Sequence, residues 1–178
     1  MNKEKKTIRI LSFLKNILFI LLFIIISCNN NSSNKNLFWR GGLAYKVNSS
    51  TPFSGTGTRT FSPEDDLTKM RKGRFKNGKE VGKWTGYWKN GQQWLEGNYV
   101  NGKKDGYWTF WWYNGNKRDY GRYKLGKPVG VWKGWWQNGD KYSESTFNNN
   151  GQLISSRCWN MWGTEFDCTN DPSDYGDF

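Results

Sequence analysis

The residue types that carry most enzyme chemistry are thin in this chain. Among its 178 residues there is no histidine, so the commonest general base and metal ligand is missing. Three cysteines are present: Cys28, Cys158 and Cys168. Cys28 follows an apolar run, one serine beyond its end. The other two flank "WNMWGTEFD", a short segment centred on Gly163, as in a hairpin whose flanking residues face each other. In an oxidising compartment such a pair is expected to form a disulfide; the alternative is two reduced, buried thiols. Acids cluster twice, at Glu64-Asp65-Asp66 and at Glu165, Asp167, Asp171, Asp174 and Asp177. Paired carboxylates can cleave a glycoside, but these fall in a predicted loop insertion and a solvated tail. No P-loop and no metal-ligand spacing occurs. The expectation is a chain with no catalytic residues, no metal and no cofactor.

What the sequence offers instead is ring surface and cations. It holds 12 Trp, 9 Tyr and 11 Phe beside 21 Gly. Tyr87, Trp111 and Trp135 recur every 24 residues beside the polar Thr85, Thr109 and Lys133. A ladder of rings amid polar groups can stack on sugars or hold the apolar side chains of a peptide. It can equally complete the second apolar side of a sheet. Lys79, Lys103 and Lys127, joined by Lys76, Lys104 and Lys124, fall in predicted turns along one rim. That basic rim could meet an acidic partner or a headgroup surface, or be solvated lysines that deter edge pairing.

These residues are positioned by a repeat. Residues 73–96, 97–120 and 121–144 align without a gap. Gly82, Gly106 and Gly130 superpose, as do Trp84, Trp108 and Trp132, and Trp88, Trp112 and Trp136. Worn copies flank them at 52–72, interrupted by "SPEDDLTK", and at 145–168, as capping repeats of a stack should be. Asn90-Gly91, Asn114-Gly115 and Asn138-Gly139 predict tight type I′ hairpin turns. Lys83–Lys89 then turns into Gln92–Val100, and the segment Asn101–Gly106 makes a longer second connection to Tyr107–Tyr113. Alternation puts Trp84, Gly86 and Trp88 on one face with Trp108, Phe110, Trp112, Trp132, Gly134 and Trp136. Leu95, Gly97 and Tyr99 stand on one side of the returning strand. Phe75, Tyr99, Tyr123 and Phe147 form a further column that fills the gaps between the Trp rings. Gly86 and Gly134 are expected to leave space for a ring to lie flat. The fold class expected is all-β, an antiparallel meander with little or no helix in residues 37–168.

Before that domain the chain reads differently. Met1–Asn16 is polar and basic, and Ile17–Ile26 is an unbroken apolar run too short to cross a bilayer as a helix, which takes about 20 residues. This is the pattern of a secretory signal over residues 1–27, helical in its apolar part. Ile25-Ile26-Ser27-Cys28 resembles a bacterial lipobox. The resemblance implies cleavage before Cys28 and acylation of its sulfur, which would anchor the chain to the lipid bilayer. Residues 28–36 are small and polar, a disordered tether, and 169–178 an acidic flexible tail. Without the five cations and one acid of residues 1–27, 22 Lys and Arg face 14 Asp and Glu. A basic chain suggests nucleic acid, but export argues against that partner and favours anionic headgroups, acidic glycans or acidic proteins.

The run Gly97-Asn98-Tyr99-Val100-Asn101-Gly102-Lys103-Lys104-Asp105-Gly106 resembles a MORN repeat. With Trp108 and the following Asn-Gly, the whole unit is closer to the bacterial MORN-2 variant of YwqK-type antitoxins. The resemblance spans most of residues 41–168, and Leu125 departs from it where Asn is usual before Gly126. It implies an elongated, twisted single sheet of stacked hairpins and a scaffold without shared catalysis. The expectation is an envelope-localised, membrane-tethered scaffold that binds a protein or glycan. The alternative is an antitoxin or immunity-type protein that neutralises a toxin.

Overall fold

Hairpins of the repeat build the molecule, whose computed structural model describes residues 37–61 and 69–168. The signal segment with its expected helix, Cys28 and the tether, the acids Glu64 to Asp66 and the acidic tail lie outside the described residues. A first hairpin pairs β1 (Leu37–Arg40) with β2 (Leu43–Lys46). Ten strands follow: β3 (Gly55–Phe61), β4 (Lys69–Lys76), β5 (Lys79–Trp88), β6 (Gln93–Val100), β7 (Lys103–Trp111), β8 (Lys117–Lys124), β9 (Lys127–Trp135), β10 (Lys141–Phe147), β11 (Leu153–Trp159) and β12 (Glu165–Phe166). They make one ten-stranded sheet in which spatial order is chain order. No helix occurs among the described residues. The all-β antiparallel meander expected from the repeat is the fold.

The two kinds of turn are exchanged relative to expectation. Tight two-residue turns sit at Asn77-Gly78, Asn101-Gly102 and Leu125-Gly126, where both residues have positive φ, as a type I′ turn requires. At Asn90-Gly91 only the glycine is left-handed. There the Gly91 N–H donates to the Trp88 carbonyl at 3.0 Å and the Trp88 N–H to the Gln92 carbonyl at 2.8 Å. This is the three-residue turn with a glycine bulge, and it recurs after Trp112, Trp136, Asn148 and Asn160. The predicted long connection thus dissolves into strand: β5, β7 and β9 begin directly at Lys79, Lys103 and Lys127.

Leu125 adopts φ 49° at a position where its repeat mates are Asn77 and Asn101. A left-handed backbone costs an ordinary L-residue about 1–2 kcal/mol, and Asn escapes much of this through local hydrogen bonding. Leu125 is also exposed, so its side chain recovers little by burial. Leu125→Asn is expected to stabilise the protein by about 1 kcal/mol, seen as a higher urea midpoint at unchanged slope.

What lengthens those strands is a bulge at each repeat glycine. Lys72 pairs with Thr85 and Arg74 with Val81, so Gly73 alone faces Gly82, Lys83 and Trp84. The same irregularity sets Gly97 against residues 106–108 and Gly121 against 130–132. Gly82, Gly106 and Gly130 supply the positive φ that the bulge needs (68°, 76° and 68°). Each bulge swings a tryptophan back over the facing glycine: Trp84 lies on Gly73, Trp108 on Gly97 and Trp132 on Gly121. The glycines that make room for the main Trp column are therefore Gly73, Gly97 and Gly121. Gly86 instead receives Trp94, and Gly134 lies under Ser143 and Tyr142.

The result is a herringbone of rings along one face. Phe75, Trp84, Tyr99, Trp108, Tyr123 and Trp132 meet in sequence, with centroids 4.8–6.1 Å apart and planes at 74–89°. Edge-to-face contacts of this kind add about 0.5–1.5 kcal/mol each beyond burial. Trp84 and Trp108 are fully buried. Trp112 and Trp136, expected in the same layer, are only half-buried. Their indole N–H groups donate across to the carbonyls of Trp135 (2.8 Å) and Trp159 (2.9 Å), one repeat further on. Stacking is tied at the opposite rim by the turn glycines. Gly102 N–H donates to Glu80 O and Gly126 N–H to Lys104 O.

The first repeat lacks a predecessor, and the worn segment takes its place. Gly78 N–H donates to the Phe53 carbonyl at 2.7 Å, as Gly102 does to Glu80. Phe53 N–H in turn donates to Ala44 O, which fastens the β1–β2 hairpin over this end of the ring face. Ala44 and Phe53 are buried there, with Leu37 and Trp39 packed against the cluster. At the other end Cys158 and Cys168 form a disulfide that closes the β11–β12 hairpin.

Candidate binding face

Beneath the herringbone, the alternate residues of every strand form a second face, and the candidate residues of the sequence separate cleanly onto it. Tyr87, Trp111 and Trp135 all lie there, opposite the buried column, and all are half-buried. Trp159 continues the column one further 24-residue step on, a fourth rung that the same spacing predicts. Each strand that returns between rungs adds a long side chain. Lys117 faces Trp111 in the ladder, and Lys141 faces Trp135.

Cations rest over these rings. Lys72 Nζ stands 5.9 Å from the Tyr87 ring centre. Lys117 Nζ lies 5.3 Å from that of Trp135 and 5.4 Å from that of Tyr120. Lys141 Nζ lies 4.1 Å above Trp159, with the Arg157 guanidinium 5.1 Å from the same ring. Tyr107 and Tyr120 stack in parallel, centroids 5.4 Å apart and planes within 3°. At such distances the ring quadrupole attracts the ammonium by about 0.5–1 kcal/mol where water still reaches it.

The acids of this face are already engaged. Glu96 pairs with Lys83 at 2.9 Å, Glu144 with Lys141 at 3.0 Å and Glu165 with Arg157 at 2.7 Å. Those partners hold the Glu96, Glu144 and Glu165 carboxyls below the usual carboxylate range, chiefly through the hydrogen bond from the cation. Asp105 accepts the Leu125 N–H at 3.0 Å, which steadies the irregular turn.

The basic rim divides. Lys79, Lys103 and Lys127 are exposed at the first strand position after each tight turn. Lys104, expected beside them, is not a rim residue. It pairs with Tyr99 and points onto the ring face, Nζ 4.7–4.8 Å from the ring centres of Trp108, Phe110 and Tyr123. Burial there lowers its pKa from 10.5 to about 8, and the positive charges of Arg71 and Arg118 add to the effect. Arg71 and Arg118 are further cations in this layer, Arg118 5.6 Å from the Phe110 ring centre. Arg71 is the more deeply set. It donates to Tyr99 Oη at 2.6 Å and to Glu80 Oε1 at 2.9 Å, and it lies over the Trp84 ring.

Among the described residues no group of three or more His, Cys, Asp or Glu is placed to hold a metal, and no helix is long and apolar enough to cross a membrane. One exposed group escapes the repeat logic. Trp162 is 82% exposed at the turn position held by Asn90, Asn114 and Asn138 in the repeats. The turn bonds are supplied there by Asn160, whose Oδ1 accepts the N–H groups of Trp162 and Thr164. No family model matches the chain, and no curated protein matches it closely enough to count as a relative.

Proposed function

We propose that this chain is a non-catalytic scaffold, exported and lipid-tethered through Cys28 in a bacterial cell envelope, that holds a protein or glycan partner. The observation that carries the reading is the outer ladder, where Tyr87, Trp111, Trp135 and Trp159 line up on the face the core does not use. Core packing accounts for the herringbone, but it does not require rings on both sides of a single sheet. The likeness to MORN-2 proteins supports a scaffold, and the likeness to YwqK-type antitoxins supports a second reading in which the partner is a toxin held in a stoichiometric complex.

The test compares the full chain with its Tyr87→Ala, Trp111→Ala, Trp135→Ala triple variant as baits in envelope extract. The triple variant is expected to lose the specific partners while keeping its melting transition. Capture of the same set by both baits would show that this face is not the site.

A further inference from the structure

We infer that the outer ladder is a binding site for an acidic polysaccharide, taken in register with the repeat. The inference rests on the scaffold reading and names its ligand class. Its first support is charge. The outer-face acids Glu96, Glu144 and Glu165 are each matched by a cation on the same face. Lys72, Arg74, Lys117 and Arg122 alternate onto this face and form no salt bridge among the described residues, whereas Lys133 faces Glu144 across the ladder. A row of unmatched cations along a flat sheet complements a linear polyanion, because each charge contact adds and none requires a pocket.

The second support is the seating of Lys72 and Lys117 on rings of the ladder. A sugar presents an apolar C–H face and, in a uronic acid, a carboxylate at its edge. An ammonium poised 5.3–5.9 Å from a ring centre, as for Lys117 on Trp135 and Lys72 on Tyr87, is held where it can swing to that carboxylate. The uncovered ring then receives the sugar. The resting cation–ring contact is weak enough to be exchanged for a charge-assisted hydrogen bond. Successive rungs are two strands, about 9.6 Å, apart, a step close to the length of an extended disaccharide. One rung therefore serves each pair of sugars. Bases of a nucleic acid would need open ring faces for stacking, at a closer and less regular step.

The probe is polygalacturonate, titrated into the full chain in detergent, with the tryptophan fluorescence followed. Its fully methyl-esterified form, single-stranded DNA and anionic vesicles are the other arms. Polygalacturonate is expected to bind with an affinity that falls steeply with salt. The triple variant Lys72→Gln, Lys117→Gln, Arg122→Gln should bind at least about tenfold more weakly. The rim variant Lys79→Gln, Lys103→Gln, Lys127→Gln should be unchanged. Equal binding of the esterified polymer, tighter binding of DNA or vesicles, or a loss in the rim variant and not the outer-face variant would each overturn the inference. If polygalacturonate fails to bind while the Tyr87, Trp111, Trp135 variant still loses its envelope partners, the ligand class is wrong and the scaffold reading stands.

Discussion

Gly97→Ala is expected to destabilise the protein by about 2–3 kcal/mol, although alanine for glycine inside a strand ordinarily stabilises. Gly97 has no left-handed backbone to protect, so its conformation suits alanine. The obstacle is the Trp108 ring. A Cβ at Gly97 would stand inside the contact shell of Trp108 Cδ2 and Cε2. Trp108 is fully buried, with Tyr99 and Tyr123 packed edge-on against it, so the ring has nowhere to retreat. Trp108→Ala should cost more, about 3–5 kcal/mol. The two effects are coupled: in the Trp108→Ala background Gly97→Ala should become nearly neutral. Gly82 gives the contrast. Its site is empty to 4 Å around a built Cβ, but φ is 68°, so Gly82→Ala should cost only the left-handed strain of about 1–2 kcal/mol, with or without Trp108. Urea midpoints of the four proteins in the Gly97–Trp108 cycle settle this. An additive cycle would mean that the Trp-on-glycine contact does not organise the repeat.

That contact also marks where the sequence stops being legible. The 24-residue step, the aromatic columns and the meander can be read from it, because ring and glycine positions recur with period and each strand must alternate. The interleaving of Phe75, Tyr99 and Tyr123 between the Trp rings follows from the same reasoning. The turn types do not. Asn-Gly suits both a type I′ turn and the end of a three-residue turn, and only the pairing register distinguishes them. That register is displaced by three residues facing one at Gly73, Gly97 and Gly121, and glycine composition alone does not announce such a bulge. Lys104 was hidden for a different reason. Its repeat mates are Glu80 and Pro128, so no column exposes the position as inward-facing. Trp159 could have been found by extending the Tyr87 column one step, past the point where the other columns wear away.

Lys104 gives the protein an unusual dependence on pH. Its ammonium sits over three rings with no acidic partner of its own among the described residues, and its pKa falls from 10.5 to about 8. Below pH 8 the folded and unfolded chains both carry the proton, and the folded state bears the cost of desolvating it. Between pH 8 and about 10 the folded chain has released that proton while the unfolded chain keeps it. The unfolded state then binds more protons, so stability rises with pH across this window. The gain is about 2 kcal/mol, less than the shift alone would give, because solvent still screens part of the ammonium. Tyr99 and Tyr123 set the upper limit. Burial raises both phenols above 10, so beyond that pH the unfolded tyrosines ionise first and stability falls again. Arg71, Arg118 and Asp119 also face this layer. Lys104→Met preserves the aliphatic cover of Trp108 and removes the charge. It should raise stability at pH 7 by about 1–2 kcal/mol and flatten the rise between pH 8 and 10. Denaturant midpoints of both proteins at pH 7, 8, 9 and 9.5 test the sign directly, since parallel curves would mean the ammonium is hydrated and the rings beneath it are open to water.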